Sequence, residues 1–157
     1  MKITKTRKEF INLYQMLGYL GELKGARFTY TIAKNKEVLK RLVEEIQKKA
    51  EAHENYKEYD KERVLLNEKQ SKKDKDGNPE IKDKKYVIKD KAVFDKEIEK
   101  LNKKYKDAIE EREEQRKAVE EMANQEVTLE LKTIPLSIVP DTITVDQMEV
   151  LSILIKE

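Results

Sequence analysis

His53 is the only histidine in the chain, so any Ser–His–acid relay would have to run through it. In a helix, Lys49 and Lys57 flank it one turn away on either side, while Glu51 and Glu54 fall off its face. No orienting carboxylate or nucleophile is therefore in reach, and a polar layer in a helical seam is the expected role. A metal there would need ligands from elsewhere in the chain. Asp74-Lys75-Asp76-Gly77-Asn78 resembles the start of a calcium loop. Counted from Asp74, however, an EF-hand needs glycine where Pro79 stands and a bidentate acid where Lys85 stands. A solvated turn is expected instead. Glu110-Glu111 and Glu113-Glu114 supply carboxylates, but acid–base chemistry needs a pocket that shifts their pKa values. The wet face of a coiled coil explains them without one. No catalytic residue, metal ligand or cofactor site is assigned, and the expectation is a protein that is not an enzyme.

Three places are candidates for holding a partner. The first is the Lys-rich stretch with Lys72, Lys73, Lys84 and Lys85, in which Tyr86 is the only aromatic. Nucleic-acid recognition favours arginine and several stacking platforms, so this stretch reads mainly as a solvated or protein-docking tip. The second is Arg112 with Gln115, polar residues inside an apolar heptad seam, where such layers fix register or meet a partner. The third is the terminal run Val150–Ile155, including Val150 and Leu154. It is apolar all round, which predicts a homodimer or a docked partner.

The elements positioning these residues follow from periodicity. Thr6-Arg7-Lys8-Glu9 is a capping box, and Phe10, Leu13, Tyr14, Leu17 and Leu20 form a helical face closed within Gly18, Gly21 and Gly25. Phe28, Tyr30 and Ile32 alternate with Thr29, Thr31 and Ala33. That predicts a short strand turning into a helix near Ile32, although Phe28 and Ile32 also suit a helix. From Ile32 to about Gln70 there is neither Gly nor Pro. Ile32, Asn35, Leu39, Leu42 and Ile46 follow heptad spacing, which weakens at Lys49 and His53. Asp76-Gly77-Asn78-Pro79 is turn chemistry, and Ile81 with Tyr86-Val87-Ile88 around Asp83-Lys84 suggests a small hairpin. Asp90 caps a second helix in which Phe94, Ile98, Leu101, Tyr105, Ala108, Arg112, Gln115, Val119 and Met122 keep heptad spacing throughout. Beyond Asn124 the period becomes that of a strand at Val127, Leu129 and Leu131. It resumes at Ile134, Leu136 and Ile138 after a one-residue slip, as a bulge would give, with Pro135 at an edge. Thr144-Val145-Asp146-Gln147 is a second capping box, opening a terminal helix.

These pieces predict a mainly α fold. A long antiparallel helical hairpin, or coiled coil, spans 32–126 with a turn-rich tip at 71–89. It stands on a small α+β base, residues 1–31 and 127–157, with two or three short strands. The strand before the first long helix would pair antiparallel with the strand after the second. Composition agrees: charged residues make up 42% of the 157, with no Trp, four Gly and three Pro, which suits solvated helices with a narrow buried seam. The net charge is only +2, and six Arg against 28 Lys is not a phosphate-gripping balance. The absence of Cys excludes disulfides and thiolate chemistry. Met1–Glu9 lacks an apolar core and no apolar run approaches about 18 residues, so no membrane partner is expected.

The chain resembles a family of small uncharacterised proteins of tailed phages and prophages of low-GC Gram-positive bacteria. The matching residues are Thr29-Tyr30-Thr31-Ile32-Ala33-Lys34-Asn35, Asp76-Gly77-Asn78-Pro79, and Phe94 with Leu101. Val127-Thr128-Leu129-Glu130-Leu131-Lys132-Thr133-Ile134 and Ile143-Thr144-Val145-Asp146-Gln147 complete the set. The Lys-rich segment from Tyr56 to Ser71 is longer than that pattern. The resemblance implies a phage origin, in the host cytoplasm or on the virion, and supplies no catalytic residues. The expected function is a protein-interaction module, either a virion-assembly accessory or an inhibitor of a host or defence protein. A nucleic-acid-binding accessory acting through the Lys-rich tip is the alternative.

Overall fold

The structure, a computed structural model, describes residues 1–20 and 22–156. In chain order the elements are β1 (Lys2–Thr6), α1 (Arg7–Gly18), α2 (Ala26–Ala50), α3 (Glu54–Gln70), β2 (Ile81–Lys82), β3 (Lys85–Tyr86), α4 (Lys91–Lys104) and α5 (Lys106–Asn124). There follow β4 (Glu126–Glu130), β5 (Ile134–Pro135), a 3-10 turn (Leu136–Ile138), α6 (Val145–Leu151) and β6 (Ile155–Lys156). The fold is mainly α, with three small two-stranded sheets among the described residues. Two compact units form, one from Met1–Ala50 with the chain from Ala118 onward, the other from Glu51–Lys117.

In the first unit the predicted capping box is present. Thr6 Oγ1 accepts from the Glu9 amide at 3.2 Å, and the Thr6 amide donates to Glu9 Oε2 at 2.9 Å. The Thr6 amide, then Lys5 and the Thr6 hydroxyl, pull the Glu9 carboxyl from its ordinary value near 4.5 down to about 2. A depressed folded-state pKa gives stability that is present above the ordinary value and drains as pH falls through the folded one. Wild-type protein should therefore lose urea resistance between about pH 4.5 and pH 2 more steeply than Glu9→Gln. Parallel curves for the two would mean that the box does not hold in solution.

The helix opened by this box buries Phe10, Leu13 and Leu17. Gly21, one of the glycines expected to end it, lies outside the described residues. Ala26–Thr31 is helix, not the predicted strand. The apparent alternation misled because Tyr30 is 56% exposed, whereas Phe28, Ile32, Leu39 and Leu42 make one buried stripe at helical spacing. The β-branched threonines are accommodated by back-bonding to the preceding turn, Thr31 Oγ1 to the Arg27 carbonyl at 2.9 Å and Thr29 Oγ1 to that of Gly25 at 3.0 Å.

The strand of the base is β1, which pairs antiparallel with β4 in a register running from Lys2↔Glu130 to Thr6↔Glu126. Its inner residues Ile3, Val127 and Leu129 pack against the core of Phe10, Phe28 and Leu39. The predicted bulge is also absent. Leu131 and Ile134 both turn into the core, and Leu136, which should share their face, is 54% exposed. The chain instead leaves the sheet, and β5 pairs in parallel with β6. The second capping box is as expected, Thr144 Oγ1 accepting from Gln147 at 3.3 Å and Gln147 Oε1 from Thr144 at 3.0 Å.

The second unit is an antiparallel helical hairpin. Contacts climb α3 as they descend α5 and α4: Glu51 with Gln115, Tyr59 with Tyr105, Glu62 with Lys104 and Gln70 with Glu97. Two expected continuities fail. Glu51–His53 interrupts the predicted 32–70 helix, where the seam positions Lys49 and His53 offer no apolar side chain to bury. Tyr105, at φ −111° and ψ 25°, separates α4 from α5. The heptad face nevertheless carries across, with Leu101 and Ala108 buried. Asp90 caps α4 by accepting from Ala92 and Val93 at 3.0 and 3.1 Å.

Candidate functional site

At the tip of the hairpin, β2 and β3 are joined by Asp83 and Lys84, both at positive φ (49° and 62°), the backbone that a two-residue hairpin turn requires. Ser71 and Lys73 form bridges to Ile88 and Pro79, so Lys72 and Lys73 are tied beside the hairpin bearing Lys84, Lys85 and Tyr86. All four lysines are exposed and Tyr86 is half-buried. The Asp74 carboxylate accepts the Asp76 and Asn78 amides, each at 2.9 Å. It folds its own turn, as the solvated-turn reading expects.

Lower in the hairpin, the rings of Tyr56, Tyr59 and Tyr105 meet in tilted pairs with centroids 5.5 and 5.8 Å apart. Tyr105 Oη and Lys104 Nζ both donate to Glu62 Oε1, at 2.8 and 2.7 Å. Lys104 and then Tyr105 hold the Glu62 carboxyl below its ordinary range, while the bond to Glu62 pushes the Tyr105 phenol up. Lys104 and Tyr105, at the C-terminal end of α4, are thereby tied to Glu62 of α3. Arg112 and Gln115 continue these contacts along the hairpin. Arg112 donates to Gln115 Oε1 and lies 5.6 Å over Tyr56, and Gln115 Nε2 reaches the Glu51 carbonyl at 2.8 Å. His53 is not the predicted seam layer: it sits at the N-cap position of α3, exposed, with Nδ1 3.7 Å from Glu111 Oε2.

The terminal candidates divide. Leu154 is 0% exposed and Val150 is half-buried against the same core. The apolar run is consumed by its own unit, because α6 ends at Leu151 and the turn to β6 folds Leu154 inward. Leu154 therefore offers no surface to a partner.

Two features of the first unit were not anticipated. A groove of about 720 Å³ runs between α2 and residues 130–133, lined by Lys34, Val38, Arg41, Leu131 and Lys132. Two of its cations are engaged, Lys34 with Glu37 at 2.8 Å and Lys132 over the Tyr30 ring at 5.1 Å. Beneath it Asn35 bonds both main-chain groups of Lys132, Nδ2 to the carbonyl at 2.9 Å and Oδ1 from the amide at 2.7 Å.

The other feature is the pair of sheet edges. Leu131 and Met1 exchange bonds at 2.7 and 2.9 Å, and the Arg7 amide reaches the Gln125 carbonyl at 3.0 Å. Antiparallel ladders alternate between bonded and non-bonded pairs. The main-chain groups of Lys2, Thr4 and Thr6 on β1, and of Glu126, Thr128 and Glu130 on β4, therefore point away from the sheet. Only Thr6 already has a partner for its amide, the Glu9 carboxylate. The side chains lie on the solvent face, where Thr4 and Thr128 hydroxyls meet at 2.7 Å. The signal that could have revealed β1 is the alternation of Lys2, Thr4 and Thr6 with Ile3 immediately before the capping box.

Among the described residues no cluster of three His, Cys, Asp or Glu side chains could hold a metal, and no helix is long and apolar enough to cross a membrane. Comparison with protein-family models, with curated proteins and with solved structures gives no match.

Proposed function

We propose that this chain is a non-enzymatic protein-interaction module of phage origin that engages partners by strand addition at its β1–β4 sheet. One observation carries the reading: a two-stranded sheet is packed on one face, and among the described residues no further strand pairs with either edge. Such edges template pairing with another chain, the main chain giving affinity and alternate side chains giving specificity. The origin rests on the resemblance to small phage and prophage proteins, which is carried in part by Val127–Ile134, a segment that overlaps β4.

The test is affinity capture from a susceptible host lysate, nuclease-treated, using wild-type protein and Thr128→Pro. Proline at Thr128 removes an outward amide and leaves the β1 ladder intact. A stoichiometric protein that survives nuclease and is lost with Thr128→Pro is the expected result. A host protein would mark an inhibitor, and a virion protein an assembly accessory. Capture indifferent to Thr128→Pro would sink the reading. Nuclease-sensitive capture with steep salt dependence would move the function to Lys72, Lys84 and Lys85 at the tip, since phosphate contacts release counterions.

A further inference from the structure

We infer that copies of this chain add to one another head to tail, the outer edge of β1 in one copy pairing antiparallel with the outer edge of β4 in the next. The inference rests on the reading of the sheet edges as docking surfaces and names the occupant. The two edges are complementary because the residues facing out on β1 are the partners, within the chain, of those facing out on β4. Lys2 pairs with Glu130, Thr4 with Thr128 and Thr6 with Glu126. Repeating that register between copies sets Lys2 against Glu130 and Thr4 against Thr128 once more. Ile3 would again fall opposite Leu129, extending the apolar inner face.

Symmetric pairing is worse on the same grounds. Two β4 edges joined about Thr128 set Glu126 against Glu130 twice, and like charges directly opposite are destabilising. Two β1 edges joined about Thr4 set Lys2 against Thr6, which brings no acid opposite a lysine across the new ladder. The complementary pairing is heterologous, and such interfaces form rings or open filaments, not closed dimers.

The contact is small. Thr6 has given its amide to Glu9 and, as N-cap, its carbonyl to α1. About four main-chain hydrogen bonds remain for the new ladder. Association is therefore weak in free solution and strengthens where copies are concentrated on a common assembly.

Sedimentation equilibrium tests this with two proline variants, each checked for helix content by circular dichroism. Thr4→Pro blocks the β1 edge and Thr128→Pro blocks the β4 edge. The wild-type mass should climb with concentration past the dimer, and each variant alone should stay monomeric. An equimolar mixture of the two should form a one-to-one dimer and nothing larger, because only one compatible pair of edges survives. Should proline unfold the unit, Lys2→Glu and Glu130→Lys provide the second measurement. Each weakens association at least about tenfold, and their combination restores it. Variants that still self-associate, a mixture that stays monomeric, or a wild-type assembly that stops at a dimer would each overturn the inference. A monomeric wild type that still captures another protein through Thr128 overturns self-assembly and leaves the docking function standing. A monomer that captures nothing overturns both.

Discussion

Replacing Asn35 by alanine is expected to cost about 2–4 kcal/mol of stability, although the side chain lies inside α2 and ends no helix. Asn35 is 1% exposed and both its polar atoms are spent on Lys132. Its loss strands an amide and a carbonyl where the chain leaves β4 for the core, and each buried unpaired group costs about 1–3 kcal/mol. The adjoining groove admits some water, which keeps the total below the sum of the two maxima. Asn35→Leu fills the space without the hydrogen bonds and should be no better than alanine. Hydrogen exchange at the Lys132 amide gives the local reading, with at least about tenfold faster exchange expected in both variants. A stability loss below about 1 kcal/mol with unchanged exchange would show that water replaces the side chain.

Leu154→Ala is expected to be at least as costly, about 2–5 kcal/mol, because a fully buried leucine leaves a cavity its neighbours only partly close. For a chain of this length that is a fall of about 4–20 °C in melting temperature. Val150→Ala, at a half-buried position, should lose about 1 kcal/mol or less. This contrast separates the two roles the terminal run could have. If Val150 and Leu154 formed a docking surface, both alanines would leave stability unchanged and weaken association equally. Scanning calorimetry on the two variants decides between them.

The pattern of success along the chain has a physical logic. Both capping boxes, the Asp90 cap and the positive-φ turn at Asp83-Lys84 are decided within a few residues, and each stands where the sequence placed it. The heptad face of α4 and α5 was legible for the same reason, since spacing alone sets which side of a helix is apolar. Legibility failed where two periodicities compete. Thr29–Ile32 satisfies both a strand and a helix, and only the packing of Phe28 and Ile32, with Tyr30 left outside, chose the helix. It failed again at Ile134–Ile138, because a continuous alternation cannot show that the chain has left one sheet to join another.

For the candidate site the division is sharper. The Lys-rich tip and the Arg112–Gln115 pair could be named from the sequence, because charge runs and polar seam positions are visible residue by residue. The edges of β1 and β4 could not, since an edge exists only once partners more than a hundred residues apart have paired and no further strand, among the described residues, has paired beside them. Asn35 read as one more seam position until the fold brought Lys132 beneath it. Local chemistry thus set the helices, their ends and the tip from the sequence alone. Which strands meet, which main-chain groups remain unpaired, and whether an apolar run faces a core or a partner were decided by tertiary structure, because these are relations between distant segments that no local free-energy preference specifies.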